Sequence, residues 1–305
     1  MKKRKETEFD KTDDYFHHPS EEEKWREAYY WNWVDIENKI SGFSTIGILP
    51  NESRREFVFL LFYDGKREFY YREPETLQFS DKVNEMLTDK KLSYKCIKPL
   101  QTWQIKYMGR KLQLDITFDT RFYVYDFGKD SSASWHRHFE ASGVISGELS
   151  FKKGESIKIN GYGQRDKSWG YRDWHEFEKW YATHFQFKDW NCGMRKDYRT
   201  NSVDLSGSVC DKDGALPLIE FEIETFNDND KFNSPIKAIY YMKDKSDKTY
   251  NIEAQRINKN SFVRFARQFP GGYTELFEQM VIMKDLDTGE IGSGMMEHLR
   301  TIKTE

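Results

Sequence analysis

Strict alternation of apolar and polar residues constrains this chain more than any other feature. Phe139, Ala141, Gly143, Ile145, Gly147, Leu149 and Phe151 share one parity, and His138, Glu140, Ser142 and Ser146 hold the other. That period of two marks a strand with one buried face. The pattern recurs at Trp103–Tyr107, Leu112–Phe118, Leu218–Phe226, Tyr273–Lys284 and Ile291–Ile302, with shorter strand-like runs at Tyr29–Val34, Ser44–Leu49, Arg55–Tyr63 and Arg67–Tyr71. Asp64-Gly65 supplies the positive φ angles of a tight hairpin, and Asp285–Gly289 reads as a second turn. Helix is expected only over Glu21–Arg26, opened by Ser20 with Glu23 as a capping box, and arguably at Thr274–Met280. Aromatic side chains make up 16% of residues, which suits pleated strands around large apolar interiors. The expected fold is therefore all-β, in barrel-like or sandwich-like sheets that hide their edges by closure.

At 305 residues the chain exceeds the usual size of one core, so two domains are expected. The polar segment Asp126–Ser132 is the candidate boundary. It divides the chain into a solvated tail (1–24), an N-terminal β domain (25–130) and a C-terminal β domain (131–305). Lys and Arg number 48 against 51 Asp and Glu, a net charge of -3, so no bulk electrostatic drive toward nucleic acid exists. Cys96, Cys192 and Cys210 are scattered, which argues against a disulfide framework and a thiolate zinc site. The basic start Met1–Lys5 leads into no apolar stretch, and no window of eighteen apolar residues occurs. A cytoplasmic protein without a membrane-spanning segment is the expectation.

Phosphate-cradling, serine-elbow and zincin motifs are absent. His136 and His138 share a strand face with Glu140, but no fourth metal ligand is evident, and Glu220, Glu222 and Glu224 describe a solvated strand face. The densest chemistry lies in Gly161–Trp174, with two Arg-Asp pairs, two Trp, two Tyr and three Gly. As one strand it places Arg165, Lys167, Trp169, Tyr171 and Asp173 on one face and Asp166, Ser168, Arg172 and Trp174 on the other, unless Gly170 hosts a bulge. Two readings follow. Arg165, Asp166, Arg172 and Asp173 could be buried ion pairs that close one end of a barrel. Alternatively, one aspartic acid, kept neutral by apolar neighbours, acts as an acid while Trp169, Tyr171 and Trp174 face a developing cation.

These residues carry a resemblance to the lipocalin-like family of AttH-type proteins and carotenoid hydratases, with kievitone hydratase as a further relative. The matching pieces are Trp33-Val34-Asp35 with Ile46-Gly47, His138-Phe139-Glu140 with Ser142-Gly143 and Gly147, all of Gly161–Trp174, and Gly292–His298. The resemblance implies two tandem lipocalin-like β domains enclosing an apolar cavity, and hydration or cyclisation of an isoprenoid-type double bond without a cofactor. It also shows a departure, because relatives commonly place His where this chain has Lys167. Asp166 or Asp173 is then the expected acid, with His138 or Glu140 as base or water-positioner. Trp169, Tyr171, Trp174, Lys167, Arg165 and Arg172 would bind a hydrophobic small molecule, with no metal involved. A non-catalytic carrier of a lipid or pigment, or an AttH-like export-accessory protein, is the alternative.

Overall fold

The computed structural model describes residues 9–74, 82–131 and 135–304, and the side chains of 129–131 are left aside. The chain forms two compact units, which divide between Arg172 and Asp173. Each is built on one antiparallel sheet, so the all-β, tandem lipocalin-like expectation holds.

The first unit contains β1 (Trp25–Asp35), β2 (Ile40–Leu49), β3 (Arg54–Tyr63), β4 (Lys66–Arg72), a one-turn helix α1 (Val83–Met86), β5 (Leu92–Lys98), β6 (Thr102–Met108), β7 (Leu112–Thr120), β8 (Tyr125–Ser131), β9 (Trp135–Phe151) and β10 (Ser156–Tyr171). The sheet runs β4-β3-β2-β1-β10-β9-β7-β6-β5, and β8 pairs beside it with β9. It curls into a half-barrel whose ends meet through side chains, Tyr107 of β6 donating to Glu68 of β4 at 2.9 Å. The β3–β4 hairpin turns on Asp64 and Gly65 with φ of 47° and 66°, as their sequence demands. Inside sit Trp31, Trp33, Phe59, Tyr94, Trp103 and Tyr107, all buried. Each such ring removes roughly 150–250 Å² from water, so this interior dominates the unit's stability.

The expected boundary, the solvated tail and the Glu21–Arg26 helix all fail here. Asp126–Ser132 is no linker: through Ser131 it forms β8 on β9, while Ser132 lies outside the described residues. The hairpin β9–β10 fills the middle of the first sheet, with β10 between β9 and β1, so the units divide at Arg172 and Asp173 instead. Pairing between Trp25–Val34 and Tyr162–Tyr171 spans most of the unit, and local patterning carries no sign of it. Nor is the tail only solvated. A 3-10 turn at Lys11–Asp14, capped by Asp10, delivers Asp14 fully buried, and Phe9 packs 5.0 Å from Phe139. The helix expected over Glu21–Arg26 is absent, because Trp25 already belongs to β1 and is paired with Tyr171.

The second unit contains β11 (Lys179–Gln186), β12 (Trp190–Arg199), β13 (Ser202–Asp211), β14 (Gly214–Asn227), β15 (Pro235–Asp244), β16 (Thr249–Arg256), β17 (Phe262–Phe269), β18 (Gly272–Asp285) and β19 (Ile291–Lys303). Its order is β16-β15-β14-β13-β12-β11-β19-β18-β17, and an added β16–β18 pairing closes the sheet on itself. Thr274–Met280 is strand, held between β17 and β19. Phe185, Met194, Phe221, Tyr240, Met242, Met283 and Met296 fill the interior. Among the described residues, no helix is long and apolar enough to cross a membrane.

His298 of β19 lies in this interior, its ring edge-on to Tyr181 at 4.8 Å. Burial, helped by Arg300, pushes its imidazole down from 6.5 to about 3. The unfolded chain therefore binds a proton that the folded chain refuses. Stability should be intact above about pH 6.5 and fall as pH drops toward about 3, by several kcal/mol at about 1.36 kcal/mol per pH unit. Urea unfolding across that range should show a flatter acid limb for His298→Phe than for the wild type.

Candidate functional site

Alternation along β10 sorts the sequence-predicted site residues onto two faces. Gly170 permits this without a register shift: its φ is 125°, and a Cβ there would meet the His136 backbone nitrogen at 2.4 Å. Arg165, Lys167 and Trp169 point into the barrel with Tyr29 and Trp31 of β1. Gln164, Asp166 and Ser168 point the other way, with Glu140 and His138 of β9 as cross-strand neighbours.

On that second face, three of the four residues expected to be catalytic converge. Glu140 is opposite Asp166 in register. His138 Nε2 stands 3.8 Å from Glu140 Oε1 and 3.7 Å from Asp166 Oδ1. Glu140 is 1% exposed, and its other oxygen accepts from Tyr125 Oη and Gln164 Nε2, both at 2.7 Å. Gln164 also donates to Tyr125 Oη at 2.9 Å. This triangle holds Glu140 in one rotamer and turns its remaining oxygen toward the imidazole. Phe127 and Trp135 pack on His138 with centroids 4.5 and 4.7 Å away. The Asp166 side chain is 19% exposed, against 8% for His138 and 2% for Glu140. Asp166 is therefore the most exposed member of the cluster. An imidazole between two carboxylates can take a proton from one and return it, with the fixed carboxylate setting the tautomer. Tyr125 and Gln164 were missed from sequence. Gln164 does sit in the dense motif at the parity of Asp166, and that was the available signal.

The inward face is an ion-pair plug. Arg165 Nη2 bonds Asp14 Oδ1, and Asp14 Oδ2 also accepts from the Leu100 backbone N–H and from Trp103 Nε1, the latter at 3.3 Å. Lys167 Nζ bonds Glu27 Oε1, which also meets His17 Nδ1 at 2.9 Å. The His17 ring stacks on Trp169 at 3.7 Å and 6°. Lys167 lies 4.6 Å from the Tyr29 ring and 4.8 Å from that of Trp169. Burial lowers the Lys167 pKa and Glu27 opposes that shift, while Tyr29 is pushed well above its ordinary range, chiefly by burial. Arg165 is thus in a buried ion pair, but with Asp14 and not with the Asp166 or Asp173 of its own motif. Asp14, Glu27 and His17 come from segments whose approach no local spacing announces.

Four expected residues lie apart from the cluster. Arg172 donates to Ser168 Oγ at 3.1 Å, and Tyr171 ends β10 opposite Trp25. Asp173 belongs to the second unit, where it accepts from His175 N at 3.0 Å and caps a 3-10 turn. Trp174 follows, edge-on to Trp180 at 5.9 Å and covered by Arg267 at 4.4 Å. His136 bonds Glu22 at 2.9 Å. Among the described residues no group of three His, Cys, Asp or Glu is placed to hold a metal. A cleft of about 430 Å³ beside α1, lined in part by Tyr15, Asn84 and Cys96, shares no residue with the cluster; burial pushes the Cys96 thiol up to about 12.

Comparison with known proteins places this architecture. A family model for a domain of unknown function, DUF7064, matches residues 10–302. The chain belongs to the DUF7064 family. Among solved structures, the DUF7064 chain is similar to an AttH-type protein from Nitrosomonas europaea (12% identity, 96% of each chain, TM-score 0.69). It is also similar to CghA solved with Sch210972 (8% identity, 92% of this chain and 89% of that one, TM-score 0.65). Kievitone hydratase from Nectria haematococca is a third (8% identity, 91% and 89%, TM-score 0.61). At these identities the likeness shows a shared AttH-like fold. No curated protein sequence matches the DUF7064 chain.

The inward ion pairs set a stability prediction. Asp14→Ala strands a guanidinium that is 1% exposed, so urea unfolding should report a loss of roughly 3–5 kcal/mol. Asp14→Ala with Arg165→Met should recover most of that loss, since neither charge then remains buried.

Proposed function

We propose that this chain is a cofactor-independent enzyme that hydrates or cyclises an apolar unsaturated small molecule, with Asp166, His138 and Glu140 as its acid–base group. The observation that carries the reading is the His138 imidazole held between the Glu140 and Asp166 carboxylates against two aromatic rings. The fold shared with kievitone hydratase and CghA supports it.

In this mechanism Asp166, protonated, gives its proton to one carbon of the double bond, and the π pair becomes the new C–H bond. The cation left on the neighbouring carbon faces Phe127 and Trp135, whose quadrupoles each contribute about 0.5–2 kcal/mol. These rings replace Trp169, Tyr171 and Trp174 as the wall, because Trp169 faces inward and Trp174 belongs to the second unit. For hydration, His138 takes a proton from the water that adds and passes it to Asp166 across their 3.7 Å contact, which restores the acid. For cyclisation the π pair of a second double bond attacks the cation and forms the ring bond, and His138 removes a proton from the carbon beside the new cation, leaving a double bond, and passes it to Asp166. Glu140 holds the imidazole oriented in both cases. Lys167 takes no part, so the departure from the family's His leaves this face unaltered.

The test is turnover of a panel of unsaturated isoprenoids and polyene-type compounds by the purified protein, read by mass spectrometry as addition of one water or as isomerisation. Asp166→Asn and His138→Gln should each lower the rate by about 10²–10⁴-fold with melting little changed. Glu140→Gln should lower kcat while retaining substrate affinity. Wild-type turnover by both Asp166→Asn and His138→Gln would remove this cluster from the chemistry.

A further inference from the structure

Strand β8 departs from regular pairing at one point, and that point lies beside His138. Tyr125 is opposite Glu140 and Asp126 opposite Phe139, but the next residue in register is Gly128, opposite His138, so Phe127 is an extra residue in the strand. Pairing then resumes, with Lys129 opposite Arg137 and Ser131 opposite Trp135. The irregularity is therefore a β-bulge inside the strand. It holds Gly128 at a φ of 133°, a conformation open to glycine and strained for a residue with a Cβ. Bulges re-aim a side chain or terminate pairing, and this one leaves the pairing intact.

What it re-aims is the packing on His138. Phe127 is buried, with its ring centroid 4.5 Å from the imidazole. The Gly128 carbonyl accepts from Trp135 Nε1 at 3.1 Å and so fixes the second ring, which meets the imidazole edge-on at 4.7 Å. Phe127 and Trp135 also pack on each other at 6.0 Å. Asp126 Oδ1 accepts from the Gly128 N–H at 2.9 Å, which ties the two ends of the bulge together across Phe127. Its other oxygen stands 3.8 Å from Arg137 Nη2, a pair whose side chains are 31% and 28% exposed and which therefore adds little stability. Asp126 and Arg137 have the parity of Phe139, which packs inward with Phe9 and Trp169, so neither belongs to the face of Glu140 and Asp166.

We infer that Asp126 is a positioning residue for the acid–base group: by closing the bulge on Gly128 it seats Phe127 and Trp135 against the His138 ring and keeps Nε2 aimed between Glu140 and Asp166. At 3.8 and 3.7 Å the contacts to those carboxylates orient the imidazole only loosely, whereas packing against two fixed rings restricts its rotation. Asp126 itself touches no reacting atom and acts through the bulge. Its effect on rate rests on the reading of the cluster as catalytic; its effect on the seat of His138 does not.

Asp126→Ala and Asp126→Asn test this, because the amide oxygen of asparagine still accepts from the Gly128 N–H and alanine offers no acceptor. In the full chain carrying isotopically labelled histidine, the His138 ring signal, identified by its loss in His138→Gln, should be displaced by the ring currents of Phe127 and Trp135. Asp126→Ala should move that signal toward the position of a free imidazole, and Asp126→Asn should leave it in place. Melting should fall by only about 2–4 °C in Asp126→Ala, the loss of one partly exposed hydrogen bond. On a compound that the wild type turns over, Asp126→Ala should lower kcat about 10²-fold with KM little changed, while Asp126→Asn keeps most of the wild-type kcat. A wild-type ring signal or a wild-type kcat in Asp126→Ala would overturn the inference, and so would an equal loss of kcat in both variants. If the wild type turns over nothing in the panel of unsaturated compounds, the acid–base reading fails, and the ring signal alone decides whether Asp126 seats His138.

Discussion

A strand paired on both sides must show successive side chains to opposite faces, and β10 is such a strand, held between β1 and β9. Everything that distinguishes the first unit depends on that geometry. Arg165 and Lys167 alternate with Gln164, Asp166 and Ser168, so the charges that enter the barrel cannot also serve the face where His138 and Glu140 stand. The inward charges then need partners in a medium that solvates them poorly, and the chain supplies Asp14 and Glu27 for them. The N-terminal segment is recruited as a consequence. It closes the barrel because a buried guanidinium requires a carboxylate, and no strand of the sheet brings Arg165 one.

The two faces treat charge differently. Inside, Asp14 and Arg165 are locked by direct bonds, by a backbone N–H and by aromatic rings, including Trp103 at 5.4 Å and Phe139 at 5.0 Å from the guanidinium. Pairs of this kind commonly add little net stability over apolar substitutes, yet breaking one is costly. They specify a single seat for residues 9–17. On the other face, His138 contacts Glu140 and Asp166 at distances beyond a tight hydrogen bond, and the three differ in exposure. A set that is close but not locked can exchange a proton.

How much of this is legible from sequence follows from the range of the interactions. The strands, the Asp64-Gly65 turn and the parity of Gly161–Trp174 depend on neighbours one to four residues apart, and alternation shows them. Parity alone places Asp166 opposite in sense to Lys167 and Trp169, and places His138 and Glu140 on one face of β9. The partners of Arg165 and Lys167 lie 151 and 140 residues away in the chain, and periodicity carries no trace of them. The boundary at Arg172 and Asp173 is hidden for the same reason, since only the pairing of β1 with β10 assigns the 135–171 hairpin to the first sheet. Asp126–Ser132 looks like a linker because it is short, polar and contains Gly128, but β8 needs little apolar content when it pairs along one side of β9. Resemblance to a family identified the fold through Gly161–Trp174, where glycines and rings answer to close packing, as at Gly170 against His136.

The position of Lys167 bears on how such resemblance should be used. Judged by residue type, a lysine in place of histidine removes an acid–base group and argues against proton transfer. Judged by geometry, position 167 points at Glu27 and Tyr29 inside the barrel, away from Asp166 and His138. An imidazole is present beside Glu27 in any case, contributed by His17, which stacks on Trp169. The substitution therefore changes how a barrel end is neutralised and leaves the opposite face of β10 as it was. A residue one place away in sequence can be unrelated in chemistry when the strand between them is central. A motif match on such a strand describes two separate environments, each of which must be judged by its own neighbours.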